Sequence, residues 1–245
     1  MGLILEVCVD SPAGLAEAVL GGADRIELCS ALPLGGLTPS AGLMDHAAGC
    51  GVPVMVMIRP RAGDFMWSDA DIAVMEADIA AARRAGLAGV VLGASLADGR
   101  LDKEVLRRLL AAASGMDLTL HRCFDLVPDM SLALEQTIGL GFSRILTSGG
   151  ALTAVAGSER LRALVEQAAG RIAIMAGAGV EAGHVAGLLA TGVREVHGSC
   201  AERVAVCGKG PEMGFGPETE RRTNAACVRA LKQAMEAADG VQRHV

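Results

Sequence analysis

The chain has 245 residues and a net charge of −6, and 51% of its residues are hydrophobic whereas only 2% are aromatic. The negative charge argues against a nucleic-acid partner, because phosphate binding normally shows as a basic surface. The scarcity of aromatic rings removes the stacking platforms of single-strand binders, and frequent acidic residues exclude a membrane span.

Short apolar runs of strand length alternate with longer, helix-like stretches along the chain. Near-continuous apolar runs are typical of parallel strands that are buried on both faces. The runs predict eight strands at Leu3–Val9, Arg25–Cys29, Val54–Arg59, Gly89–Gly93, Leu118–Arg122, Arg144–Thr147, Arg171–Met175 and Glu195–His197. Helices are predicted at residues 12–21, 39–49, 69–85, 102–114, 130–139, 157–169, 181–190 and 218–238. Residues 200–217 are rich in Gly and Pro and are predicted to be an irregular loop after the last strand.

A recurring glycine marks the entry to every second strand. Gly22, Gly86, Gly141 and Gly192 each stand four residues before the first apolar strand residue, where glycine ends a helix in the left-handed conformation. Eight strands in strict alternation with eight helices predict one α/β domain over residues 1–245, a single (β/α)8 TIM-type barrel. An open doubly wound sheet is the runner-up, but the first turn, Asp10–Gly14, lacks a dinucleotide fingerprint.

Polar side chains gather at the predicted barrel mouth, where active sites of this fold lie. Strand residues alternate sides, so the apolar set of each strand faces the helices and the polar set faces inward. We expect a ring of catalytic candidates formed by Glu6, Glu27, Arg59, His121 and His197, with Cys8 and Cys29 one layer above the two glutamates. Arg59 is expected to have water beside it and to hold an anion with its planar fork.

A structural role for these residues is the alternative. Glu6 or Glu27 could pair with Arg25 or Arg59 in a buried ion network, because shifted groups also occur in such networks. Free cysteines are often packed as small hydrophobes. Two histidines, two carboxylates and an arginine in one mouth favour a site.

Glycine-rich turns follow the last three strands. Exposed amides in such turns can bind an anion, and phosphate sites in these barrels often use the last loops. The candidate anion-binding residues are Ser148, Gly149, Gly150, Gly177, Gly179 and Gly198. The alternative is that short turns need glycine for their geometry alone.

Several motifs resemble those of the CutC family over nearly the whole chain. They include LEVCVDS at 5–11, GGADRIELCS at 21–30, GGLTPS at 35–40, VMIRPR at 56–61, RILTSGG at 144–150, VREVH at 193–197 and TNAACV at 223–228. The resemblance implies a (β/α)8 barrel, a cytoplasmic location and a role in copper homeostasis. It also implies a copper(I) site on Cys8 and Cys29, and two thiolates suit this soft ion.

Two functional hypotheses therefore stand side by side. The first is a copper(I)-binding protein, and the second is an enzyme that acts on a small anionic or phosphorylated metabolite at the mouth. A catalytically silent scaffold is a third, weaker reading.

The start of the chain shows no secretory signal, and the seven cysteines form no CxxC pair, so we expect reduced thiols in the cytoplasm. We also expect a homo-oligomer, of which two-fold dimers are the commonest.

Overall fold

A computed structural model describes residues 2–242, which form a closed barrel of eight parallel strands in chain order. Each strand pairs with its neighbours in sequence, and β1 closes the ring against β8. The predicted (β/α)8 architecture is confirmed. The strands are β1 (Ile4–Val9), β2 (Arg25–Leu28), β3 (Val54–Met57), β4 (Gly89–Leu92), β5 (Asp117–Leu120), β6 (Arg144–Thr147), β7 (Ala173–Ala176) and β8 (Glu195–Gly198).

Eight α-helices surround the barrel. Their ends carry the expected local signals: Ser11 caps α1 and accepts a hydrogen bond from Gly14 N, while Gly22 and Gly141 end α1 and α5 at φ +92° and +86°. The helices are α1 (Pro12–Gly21), α2 (Ala41–Ala47), α3 (Asp69–Arg84), α4 (Lys103–Ala112), α5 (Met130–Leu140), α6 (Ser158–Ala168), α7 (Val185–Leu189) and α8 (Ala225–Gln242). Short 3-10 helices at Leu32–Leu34 and Arg122–Leu126 follow β2 and β5.

The strands separate two kinds of interior. Their outward faces, for example Leu5, Val7 and Val9 of β1, join the large apolar core beneath the helices. Inside the barrel the apolar cluster is small and contains Met55 and Met57. The predicted alternation is confirmed, and it leaves the barrel interior to charged and polar side chains.

The segment after β8 differs from the prediction. Residues 200–217 were expected to be irregular and a helix was expected from 218, but β9 (Ala201–Ala205) and β10 (Thr219–Thr223) form an antiparallel hairpin. α8 then begins at Ala225. The expectation was wrong because both strands are polar and half-exposed, so they lack the apolar run that marks the barrel strands. Register pairs Glu202 with Arg222 across the hairpin, opposite charges that support such a pair.

Within residues 2–242 no helix is long and apolar enough to cross a membrane.

Candidate functional site

The C-terminal ends of the strands enclose a cavity of about 640 Å³. This is the end of the barrel at which the fold carries its active sites. Glu6 and Cys29 are fully buried and are not among the residues that line it. The predicted site residues that line the cavity are Cys8, Glu27, Arg59, His121, His197, Gly179 and Gly198.

Glu6 belongs to an ion-pair network inside the barrel. Its carboxylate accepts hydrogen bonds from Nε of Arg25 and from Nδ1 of His197, the latter at 2.8 Å, and Arg25 also pairs with Glu195. Burial alone would raise the pKa of Glu6, but the His197 hydrogen bond and the charge of Arg25 outweigh it and lower the pKa to about 2. Glu6 thus stays ionised, and its geometry suits positioning His197 better than donating a proton.

His197 connects this network to the cavity. Its Nδ1 faces Glu6, and its Nε2 lies 3.8 Å from Oε2 of Glu27. Burial opposes the charged imidazole, but the charges of Glu27 and Cys8 and hydrogen bonds to Cys8 and Glu6 raise the pKa of His197 well above its ordinary value. The ring orientation is therefore set by a partner on each side, as in a metal-ligating or catalytic histidine.

Glu27 is buried, and within residues 2–242 one of its two carboxylate oxygens accepts a hydrogen bond whereas the other does not. Its Oε2 accepts a hydrogen bond from Sγ of Cys29 at 3.4 Å, whereas its Oε1 has no hydrogen-bond partner among the described residues. Burial raises the pKa of Glu27, and this effect outweighs the nearby His197. A carboxyl group with a free oxygen beside a cavity can exchange a proton or contact a ligand.

One group of side chains could hold a metal ion. The ligand atoms of Cys8, Glu27 and His197 all lie within 4.8 Å of one another. The register of β1 and β2 places Cys8 opposite Glu27. Cys29 stands two residues after Glu27, just past the end of β2, and is therefore the next position that faces inward. Its thiol reaches the same carboxylate, and burial raises its pKa well above the ordinary value. The structure thus brings both predicted cysteines to Glu27 and adds His197 to them.

Arg59 has no carboxylate within ion-pair distance in the described part of the chain. Nη1 donates to the carbonyl oxygens of Leu34 and Gly36 at 2.9 and 3.1 Å, and Nη2 donates to that of Gly63 at 3.0 Å. Nε has no partner. Arg59 lines the cavity, but it is not the free guanidinium that was expected, because it is only 6% exposed and clamps two loops together. Burial and the neighbouring Arg61 lower its pKa.

His121 follows β5 and begins the 3-10 helix Arg122–Leu126. Its Nδ1 accepts a hydrogen bond from Cys123 N at 3.2 Å, and its Nε2 is buried without a partner in the described residues. Burial, followed by the charge of Arg59, lowers the pKa of His121 to about 3. The neutral ring therefore carries its proton on Nε2. Phe65 lies 4.6 Å from this ring and 5.0 Å from the Arg59 guanidinium carbon.

The turn after β6 is already bonded to an internal carboxylate. Oδ1 of Asp125 accepts from the amides of Ser148 and Gly150, each at 3.1 Å, and Gly149 N donates to Oγ1 of Thr147 at 2.9 Å. Asp125 thus stands where an external anion was predicted. The anion role of Ser148, Gly149 and Gly150 stays a prediction that would require this carboxylate to move away.

The turns after β7 and β8 do reach the cavity. Ala178 and Gly179 line it at φ +81° and +67°, so an alanine here adopts a conformation that favours glycine. Gly177 is packed instead: a side chain there would meet Leu146 at 2.5 Å. Gly198 lines the cavity at the end of β8.

Sequence reasoning missed some of the cavity wall. Cys200 and Cys227 both line the cavity, although neither was expected at a site. Burial, with smaller effects of Cys8 and Cys227, raises the pKa of Cys200 to about 12. The position of Cys200 just past β8 could have indicated it, whereas Cys227 comes from the first turn of α8 and only the packing of that helix places it here.

Comparison with known proteins gives one consistent family. The sequence matches the CutC family over residues 3–202. It is 57% identical to a CutC family protein of Rhizobium meliloti over 235 residues, covering 95% of this chain and 96% of the relative. It is 55% identical to a CutC family protein of Caulobacter vibrioides over 241 residues, covering 96% of this chain and 98% of the relative.

Solved structures resemble this chain in two ways: one shares its family, and others share its barrel fold alone. The crystal structure of the Streptococcus agalactiae CutC protein, which is named for copper homeostasis, has a TM-score of 0.77 at 35% identity and covers 80% of this chain and 98% of that one. A thiamine phosphate pyrophosphorylase from Pyrococcus furiosus has a TM-score of 0.60 at 16% identity, with 96% of each chain covered. This second similarity shows the barrel fold alone.

Proposed function

This chain belongs to the CutC family, and the Streptococcus agalactiae CutC protein is named for copper homeostasis. We propose that this chain binds copper(I) at the barrel mouth through Cys8 and Cys29, with His197 beside them. The observation that supports this most is the cluster of ligand atoms from Cys8, Glu27 and His197 within 4.8 Å of one another. The Cys29 thiol is bonded to the same Glu27. These side chains would hold a copper ion as cargo.

The donor set fits a soft ion. Thiolates select copper(I) over harder cations, and imidazole is a common copper ligand. A metal ion displaces the proton of a coordinating thiol, so the hydrogen bond from Cys29 to Glu27 would be exchanged for a metal–sulfur bond. The charged form of His197 would lose its Nε2 proton on binding the ion, because metal ligation requires the neutral ring. The Glu6 carboxylate on Nδ1 holds the ring in place, and such outer partners commonly fix a metal-ligating histidine.

The test is a competition titration with copper(I). The fully reduced protein is titrated anaerobically against a chromophoric copper(I) chelator, and Cys8→Ser and Cys29→Ser are compared with the parent. We expect each variant to bind at least about 100-fold more weakly, beyond the loss typical of outer partners. Cys207→Ser is the matched control, because Cys207 is exposed and outside the cavity lining. Unchanged affinity in the Cys8/Cys29 double variant would leave both cysteines as packing residues.

A second candidate function is an enzyme that acts on a small anionic or phosphorylated metabolite. It is favoured by three buried atoms that have no hydrogen-bond partner in the described part of the chain, Glu27 Oε1, Arg59 Nε and His121 Nε2. All three belong to residues that line one cavity. Buried polar atoms are nearly always hydrogen-bonded, so these three are best explained by a ligand. Arg59 would hold the anion, His121 would donate to an oxygen, and Glu27 would transfer a proton.

Solvent exchange tests this second candidate. The protein is incubated in D2O with small carbonyl compounds that carry a carboxylate or phosphate, and NMR follows loss of the carbon-bound proton next to the carbonyl group. In the expected reaction Glu27 takes that proton and returns deuterium from solvent. Glu27→Gln should abolish the exchange while Cys207→Ser leaves it unchanged. Exchange that persists in Glu27→Gln would remove Glu27 from this role.

A cytoplasmic location and a homo-oligomeric state stay predictions. Light scattering at micromolar concentration decides the second, and a monomeric mass would contradict it.

A further inference from the structure

We propose that one wall of the mouth, formed by Arg59, His121 and Phe65, is a binding site for the carboxylate of a small 2-oxo or 2-hydroxy acid. The carboxylate would lie against Arg59, and the neighbouring oxygen would accept a hydrogen bond from Nε2 of His121. This inference deepens the second candidate function and does not depend on copper binding.

The hydrogen bonds of Arg59 leave donors for a ligand. A guanidinium has five N–H groups, and three of them are used by the carbonyl oxygens of Leu34, Gly36 and Gly63. Nε–H and one Nη2–H remain. The same Nε and Nη2 atoms of Arg108 bind the two oxygens of Glu76 at 2.7 and 2.8 Å on the surface of this protein. Arg59 therefore retains the atoms that bind a carboxylate side-on.

His121 supplies a donor and no charge. The Cys123 amide donates to Nδ1, so Nε2 bears the proton of the neutral ring. That N–H is buried without a partner, although a buried donor without an acceptor is costly. A carbonyl or hydroxyl oxygen next to the bound carboxylate would satisfy it. The Phe65 ring is near both residues, with its centroid 5.0 Å from the guanidinium carbon of Arg59 and 4.6 Å from that of the His121 ring, and it forms the apolar part of this wall of the cavity.

The surrounding charges favour a carboxylate over a phosphate. Arg59 is the buried cation of this wall, whereas Arg122, which also lines the cavity, pairs with Asp125, and the lining residue Arg221 is exposed. Glu27 and Glu181 line the same cavity, so a dianion beside Arg59 would meet carboxyl groups. Phosphate sites also rely on several backbone amides. In the turn after β6 the amides that could supply them already bind Asp125, which leaves the turns after β7 and β8 for a phosphate. One buried cation with a neutral donor matches a monoanion.

Trp67 makes binding measurable. It is the single tryptophan of the chain, and its ring lies edge-on to Phe65 at a centroid distance of 6.3 Å. Its Nε1 donates to Gly93 O at 2.8 Å, which anchors the indole. A ligand that contacts Phe65 should change the fluorescence of Trp67.

The experiment is a fluorescence titration of the metal-free, reduced protein with pyruvate, pyruvamide and inorganic phosphate. We expect saturable binding of pyruvate and at least about tenfold weaker binding of pyruvamide, because the neutral amide forfeits the charged bonds to Arg59. Phosphate should also bind at least about tenfold more weakly than pyruvate. Equal binding of pyruvamide, or tighter binding of phosphate, would overturn the proposal, and so would the absence of saturable pyruvate binding. The comparison of ligands requires no variant that could misfold.

Variants then locate the site. Arg59→Lys keeps the charge but loses the planar fork, and it should weaken pyruvate binding about tenfold or more. Arg83→Lys is the matched control, because within the described residues Arg83 also donates to carbonyl oxygens, those of Ser114 and Ala112, but lies outside the cavity lining. Pyruvate affinity that is unchanged in Arg59→Lys would place the ligand elsewhere and overturn the assignment.

Discussion

The lower part of the barrel interior, towards the N-terminal ends of the strands, and the upper part, at their C-terminal ends, differ in how completely their buried charged and polar groups are paired. In the lower part Arg25 joins Glu6 to Glu195, and Arg144 joins Glu195, at 3.2 Å, to Asp117, at 2.7 Å. In the upper part, at the mouth, three buried polar atoms of the cavity wall have no hydrogen-bond partner within residues 2–242; they are Glu27 Oε1, Arg59 Nε and His121 Nε2. Folding alone tends to satisfy buried polar groups. The lower network is thus the part that stability explains, and the upper group is the part that a ligand explains.

The largest effect is expected in the lower network. Arg25→Met leaves the carboxylates of Glu6 and Glu195 buried without their common cation. Removing one partner of a buried ion pair costs about 3–5 kcal/mol, so the free energy of unfolding in urea should fall by this amount. The surface variant Arg108→Met, which breaks an exposed pair with Glu76, should cost less than about 1 kcal/mol. Similar losses in both variants would erase the distinction between the two parts.

Arg59→Met measures how much the hydrogen bonds of Arg59 to the two loops contribute to the stability of the fold. The change removes the donors to the carbonyl oxygens of Leu34, Gly36 and Gly63, and hydrogen bonds to charged groups contribute about 1.5–3 kcal/mol. We expect a loss of about 2–3 kcal/mol in denaturant unfolding, smaller than for Arg25→Met. A protein of parental stability would show that the two loops do not need this clamp.

A pH titration of stability isolates His121. The pKa of His121 in the folded protein is about 3, against an ordinary value of 6.5. Between these two pH values the ring is protonated in the unfolded chain but neutral in the folded protein. The stability contributed by the neutral ring is complete above pH 6.5 and is lost as the pH falls towards 3. Each pKa unit between the folded and the unfolded value corresponds to about 1.4 kcal/mol in the free energy of unfolding.

The comparison variant is His121→Gln. Between pH 7 and pH 5 the parent should lose about 2 kcal/mol more than this variant. The difference between the two proteins cancels the other titrating groups that they share. Parallel curves would mean that His121 titrates in the folded protein as it does in water.

The smallest effect is expected at Glu27. Its Oε1 makes no hydrogen bond in the described residues, and burial raises the pKa of Glu27. Glu27→Gln therefore relieves the burial of a charge while it removes the attraction to His197, 3.8 Å away, and the two effects oppose each other. Groups kept for function often cost stability, and we expect a change within about 0.5 kcal/mol or a gain of up to about 1 kcal/mol. Thermal unfolding measures it. A loss of several kcal/mol would place Glu27 with Glu6 in the lower network.

The identity of the inward positions could be predicted because strand geometry is periodic. Glu6, Glu27 and His197 follow from alternation along single strands, and the glycines before the strands follow from helix termination. The polar strands β9 and β10 could not be predicted, because their pairing joins segments that carry no apolar pattern.

The sequence by itself thus determined the barrel, the family and the set of polar side chains that point into it. Only the tertiary structure decided which of them are paired: Glu6 is bonded to Arg25 and His197, whereas the guanidinium of Arg59 donates its hydrogen bonds in the described part of the chain to carbonyl oxygens. It also decided that Asp125 occupies the turn predicted to bind an anion. The physical reason is that the direction of a side chain is a local property of its strand. Its partners, in contrast, come from distant parts of the chain that only the closure of the barrel brings together.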